Sequence, residues 1–147
     1  MHETDPARIE GYHAHVYYDA QSRGAGERLR RAVGERFAAV LGRWHDEPVG
    51  PHPISMYQIA FAPEEFSRIV PFLMLNREGL RILVHPETGN GYRDHAINAL
   101  WLGEPVKLKL EVRIQSPPPP IAISDSFFPW NFLKTAIDPG IRKTGSQ

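Results

Sequence analysis

Strand-like runs and amphipathic stretches follow one another along this chain in the order strand, helix, strand, strand, helix, strand, and few folds accept that order. The first run, Tyr12–Tyr18, is rich in aromatic and β-branched residues, as strands are. A helix is expected over Ala25–Leu41, where Leu29, Val33, Phe37, Val40 and Leu41 recur at helical spacing and Gly42 suits the end. Arg43–His45 reads as a short second strand and Asp46–Pro53, "DEPVGPHP", as a turn-rich loop. A third strand, Ile54–Phe61, leads into a second helix. Pro63 fits that helix's first turn, where a missing N–H costs little, and Glu64 and Glu65 follow near the positive end of the dipole. Pro71 is expected to kink this helix or end it early, and Gly79 to stop it. Leu80–His85 is a fourth strand, "PETGNGYRD" a loop, His95–Leu100 a short helix and Pro105–Ile114 a fifth strand. The expected fold class is α+β: a ferredoxin-like split βαβ antiparallel sheet with helices on one face, plus an extra helix and strand and a C-terminal extension.

The 147 residues suit one domain, taken as residues 1–116. Four consecutive prolines, Pro117–Pro120, then break the chain. Residues 117–147 read as a tail whose prolines deny it a long helix. Phe127, Phe128, Trp130, Phe132 and Leu133 are too apolar for a free linker, so the tail is expected to pack on the body or on a partner subunit.

Seventeen basic residues balance seventeen acidic ones, with no basic stripe, which leaves nucleic-acid binding without electrostatic support. The chain has no cysteine, so disulfides, thiolate zinc sites and iron–sulfur clusters are excluded. The apolar runs fall far short of the ~18 residues a membrane span needs. The polar, acidic start "MHETDPARIE" is unlike a signal peptide. A cytoplasmic protein without membrane partners is expected.

Seven histidines are present. Side chains alternate along a strand, so His13, His15 and Tyr17 share one face of the first strand and Ala14, Val16 and Tyr18 the other. The aliphatic face belongs against the helices. On the fourth strand Ile82 and Val84 pack inward, and Arg81, Leu83 and His85 point the other way. The first and fourth strands are antiparallel neighbours in this topology, which sets His85 beside His13 on a face that no helix need cover. Histidines at i and i+2 stand about 6.6 Å apart at Cα, from a rise of ~3.3 Å per residue, so both rings can lean onto one ion. Neutral imidazole ligates iron, zinc, copper and nickel. Three ligands on one side leave positions open that a structural zinc site would close.

A strand histidine also serves as a half-buried packing residue with one hydrogen bond, and spacing leaves both readings open. His52, in "GPHP", reads as a turn residue; the topology keeps it away from His85 unless its loop folds back. His95 lies near a short helix start and reads as a cap or surface residue, and His2 and His45 as solvated. Glu87 and Asp94 are at hand as carboxylates, and spacing does not choose between a carboxylate-completed and an all-histidine shell.

Three blocks, "YHAHVYYD", "PVGPHPISMYQIAF" and "LNREGLRILVHPETGNGYRDHAINALWLGE", together resemble the DOPA 4,5-dioxygenase family, in the family's order and over roughly Gly11 to Leu110. The resemblance implies a small, often dimeric ferredoxin-like protein that cleaves a catechol ring in extradiol fashion with non-haem Fe(II) and dioxygen; zinc or nickel can replace the iron in a crystal. The family's histidine motifs match at His13, His15, His52, His85 and His95. The expectation is then that His13, His15 and His85 hold the metal and that His52, with His95 as its partner, serves proton transfer. Arg81 and Tyr17 share the same face and are expected to bind substrate, Arg81 through a carboxylate; a surface ion pair is its ordinary alternative. A small aromatic catechol, dioxygen and a twin subunit are the expected partners. The rival readings are a non-catalytic dimer that binds metal or an aromatic ligand, and a zinc-dependent hydrolase.

Overall fold

The structure, a computed structural model, describes residues 2–111. The proline run and the tail expected over 117–147 lie outside the described residues. Five strands form one antiparallel sheet: β1 (Gly11–Tyr17), β2 (Ala39–Leu41), β3 (Met56–Phe61), β4 (Arg81–Glu87) and β5 (Leu100–Leu102). Their order is β2-β3-β1-β4-β5, so β1 is central. Helices α1 (Arg23–Arg36) and α2 (Phe66–Asn76) connect β1 to β2 and β3 to β4, and the short α3 (Gly91–Ala96) precedes β5. The expected split βαβ arrangement is thus the one adopted.

The two faces of the sheet follow from its alternation. Ala14, Val16 and Tyr18 meet Tyr57, Ile59 and Phe61 of β3 and Ile82 and Val84 of β4. Leu29 and Val33 of α1 and Ile69, Val70 and Leu73 of α2 close over them. Each Val, Leu, Ile or Phe among them contributes about 1.5–3 kcal/mol on burial, and a one-residue slip of β1 would turn its aliphatic side away from the helices. The histidine side of β1 is therefore fixed by the helices on the opposite side.

Several element boundaries differ from expectation. The first helix ends at Arg36, because Phe37 is extended (φ −130°, ψ 151°). Ala39–Leu41 then pairs with β3, Val40 opposite Ala60. Val40 and Leu41 continue the helical spacing by coincidence, and the unpaired edge of β3 takes them as a strand. Of the expected strand over Arg43–His45, only a bridge from His45 to Met56 forms. The second helix starts after a 3-10 turn at Pro63–Glu65 and continues past Pro71 to Asn76. Pro71 is on the exposed side, where water can take up the carbonyl its ring deprives of a donor. Gly79 (φ 80°) reverses the chain into β4. The short helix lies earlier than expected, capped by Asn90, whose side chain accepts from the Arg93 N–H. The fifth strand also comes earlier, at Leu100–Leu102, where Leu83 of β4 pairs with Trp101.

The largest departure concerns the second face. It is covered, not open: Tyr17, Met56, Leu83 and Val106 form a second apolar cluster with Val49, Ile54, Ala99, Trp101 and Leu108. The loop before β3 and the segment after α3 supply most of that cover. The Lys109 N–H donates to the Pro51 carbonyl and ties the two coverings together.

Candidate metal centre

Register brings the histidines together. His13 stands directly opposite His85 across the β1–β4 ladder, and His15 opposite Leu83. Ring centroids are 5.2 Å apart for His13–His85 and 5.1 Å for His15–His85. The Nε2 atoms of His15 and His85 face each other at 3.0 Å. The convergence expected of these three rings is therefore present.

Two further rings join them. His52 folds back over the second face, held by a reciprocal backbone pair with Val49, and its ring lies 4.1 Å from that of His15. His95, on α3, lies 3.9 Å from His85 and 5.6 Å from both His15 and His52. His52 does close a turn, with Val49, but its ring and that of His95 are buried rather than at the surface. His15, His52, His85 and His95 are all buried, whereas His13 is partly exposed. The expected substrate contacts lie less centrally. Tyr17 is buried and its hydroxyl is 2.7 Å from His52 Nδ1. Arg81 pairs with Tyr17 in register, four residues and so about 13 Å along β4 from His85. Register does not bring it into the ring cluster.

The rings are held from behind. His85 Nδ1 donates to the Pro86 carbonyl at 2.9 Å, and His95 Nδ1 to the Gly91 carbonyl at 2.8 Å. His13 Nδ1 lies 2.9 Å from the Glu87 carboxylate, which is also 3.5 Å from His85 Nδ1. Asp94, the other candidate carboxylate, accepts from the Thr88 N–H at 3.0 Å and the Thr88 hydroxyl at 2.6 Å. It closes the loop between β4 and α3, and Glu87 is the carboxylate that touches the histidines. Glu87 was legible only as a possibility, because β4 runs two residues beyond the expected His85 and carries it into register.

Burial dominates the electrostatics. It pushes the His15 imidazole well below its usual range, with His52, His85, His95 and His13 adding to the shift. Burial and then His95 lower His85 to about 4. Burial alone would raise Glu87, but the His13 hydrogen bond and the nearby imidazoles outweigh it and hold the carboxyl below its usual value. His15 and His85 are thus neutral at pH 7 and carry lone pairs.

This donor set fits a divalent transition cation. Two groups of three histidines, His13/His15/His85 and His15/His52/His95, each bring ligand atoms within 4.8 Å of one another and can hold a metal ion. His15 Nδ1 is buried and, among the described residues, has no hydrogen-bond partner, an arrangement that costs about 1–3 kcal/mol when nothing is gained from it. Two nitrogens 3.0 Å apart, at metal–nitrogen distances of about 2.1 Å, would subtend roughly 90° at an ion. Outer partners that tie up Nδ1 leave Nε2 as the ligating atom. Glu87→Ala is accordingly expected to weaken divalent-metal binding by about 10-fold or more, with Glu87→Gln retaining part of it; a metal titration of both variants checks this.

The match to known proteins covers the same stretch. The Dopa 4,5-dioxygenase family model matches residues 12–112, which include all five clustered histidines. The chain belongs to the Dopa 4,5-dioxygenase family. Similar to this chain are a DOPA 4,5-dioxygenase of Amanita muscaria, 36% identical over 113 residues and 71% of this chain, and an uncharacterized 21.2 kDa protein of Botryotinia fuckeliana, 38% identical over 94 residues and 58% of this chain. The chain spans about half the length of these curated relatives, 50% in each case. A crystal structure of a provisionally named dioxygenase from Nostoc punctiforme superposes with a TM-score of 0.76 at 55% identity, covering 77% of this chain and 98% of that one. Among the described residues, no helix is long and apolar enough to cross a membrane.

Proposed function

We propose that this family member opens the ring of a catechol with dioxygen, in extradiol fashion, at a divalent iron held by the histidine cluster. The observation that carries this reading is the convergence of five imidazoles, four of them buried, in a chain of this family. Bound iron would supply coordination positions for both catechol oxygens and for dioxygen, and would acidify the bound hydroxyls. His13, His15 and His85 would hold it, the last two kept neutral and ligating by their burial. His52 and His95, beside His15 and His85, are placed to exchange hydrogen bonds and protons with oxygen atoms of a ligand. The apolar cover that includes Leu83, Val106 and Trp101 limits water around the reacting atoms. Arg81, at the far end of the face, would pair with a carboxylate on the substrate.

The test is direct. Protein loaded anaerobically with Fe(II) and given a panel of catechols, DOPA among them, should consume oxygen on admission of air and develop the visible absorbance of a ring-opened product. Zinc-loaded protein should do neither. No oxygen uptake across the panel overturns the dioxygenase reading, and turnover that needs zinc but not oxygen would replace it with a hydrolase.

A further inference from the structure

The five rings are not equivalent in what they present, and the difference comes from the atoms behind them. A carbonyl oxygen can only accept. The His85 and His95 Nδ1 atoms, facing the Pro86 and Gly91 carbonyls, must therefore carry the ring hydrogen, which puts the lone pair on Nε2. The ionised Glu87 carboxylate imposes the same tautomer on His13. His52 differs, since its Nδ1 faces the Tyr17 hydroxyl at 2.7 Å, a group able to donate or accept.

The surroundings decide between these. The Tyr17 hydroxyl belongs to a side chain only 2% exposed, and among the described residues His52 is its one hydrogen-bonding partner. If it accepted from His52, its own hydrogen would be buried with no acceptor, at about 1–3 kcal/mol. Donating to Nδ1 removes that cost and sends the ring hydrogen of neutral His52 to Nε2. Tyr17 itself is held in place by Trp101, stacked at 5.8 Å between centroids.

We infer that Tyr17 is a positioning residue that fixes His52 in the Nε2–H form, so that His52 offers a hydrogen bond to an oxygen atom of a bound ligand, whereas the Nε2 atoms of His13, His85 and His95 carry lone pairs, those of His13 and His85 for a cation. The second half of this statement rests on the metal-centre reading; the tautomer itself does not. The division separates an electrophilic donor from the ligand set within one ring cluster. It also makes His52 the least suited of the four to hold the ion in its resting form.

The experiment is a long-range proton–nitrogen correlation spectrum of the imidazole rings in metal-free, nitrogen-15-labelled protein, near pH 8 where ordinary histidines are neutral. Protonated and bare ring nitrogens resonate far apart, so each tautomer is read directly. His52 should give the Nε2–H pattern, and His85 and His95 the Nδ1–H pattern. In Tyr17→Phe the His52 pattern should move toward Nδ1–H while those of His85 and His95 stay. An Nδ1–H pattern for His52 in the unaltered protein overturns the inference, whether or not the variant folds, and so does an unchanged His52 pattern in a folded variant. Failure of the dioxygenase reading would appear separately, as absent oxygen uptake with the His52 tautomer as stated.

Discussion

Replacing His15 with alanine should weaken divalent-metal binding by about 100-fold or more and abolish oxygen uptake, in a protein that still folds. Loss of a single outer partner of a ligand typically costs 10–100-fold in metal affinity, and His15 is closer to the centre than that. It is the one residue common to both three-histidine groups, so among the described residues neither triad survives its loss. The fold should survive. His15 lies on the side of β1 away from the helical core, and of its two ring nitrogens only Nε2, facing His85, has a hydrogen bond to lose among the described residues. A truncation of this size costs about 2–3 kcal/mol through the cavity it leaves, partly offset by removing an unsatisfied buried atom. Metal titration by calorimetry with thermal unfolding of the same sample measures both quantities. His45→Ala is the matched control, because His45 engages Met56 through backbone atoms alone, and it should bind metal normally. Unchanged stoichiometry and affinity in His15→Ala would place the metal elsewhere and remove the basis for the proposed chemistry.

The metal-free protein should lose stability as the pH falls from about 6.5 towards 4. His15 and His85 are both depressed in the folded state, His85 to about 4, against about 6.5 when unfolded. Above 6.5 neither state binds a proton at these rings, and stability is on its plateau. Between 6.5 and 4 the unfolded chain takes up protons that the native state refuses, so unfolding becomes easier with each step down. Below about 4 the native His85 ring also protonates and its share of the loss is complete. At 1.36 kcal/mol per pH unit, the move from pH 7 to 5 should cost on the order of 2 kcal/mol from His85 alone, with His15 acting in the same direction. Urea unfolding at the two pH values gives the difference, and His85→Gln should flatten the curve. A stability that is level across this interval would mean that the rings reach solvent in the folded protein.

The fold and part of the site were legible because each depends on local periodicity. Alternation along Tyr12–Tyr18 separates histidines from aliphatic residues whatever the rest of the chain does. The strand and helix order then makes the first and fourth strands neighbours, which is enough to set His13 opposite His85. What periodicity could not give is where a loop goes. His52 sits among prolines and glycines with no spacing rule to guide it, and it reaches His15 because Val49 and the Pro51–Lys109 contact fold its loop across the sheet. His95 enters because Asn90 starts α3 early and turns that residue inward. Helical spacing misled at Val40 and Leu41, where a free strand edge offers backbone hydrogen bonds that a helix end does not.

By itself, then, the sequence determined which side chains share a face and which strands adjoin, since both follow from the two-residue repeat and from the chain order. Only the tertiary structure decided that this face is covered, that five imidazoles meet on it, four of them buried, and which hydrogen-bond partners stand behind the rings of His13, His52, His85 and His95. Those outcomes depend on long-range contacts between loops, whose course is set by packing against the finished sheet and by no repeat in the chain.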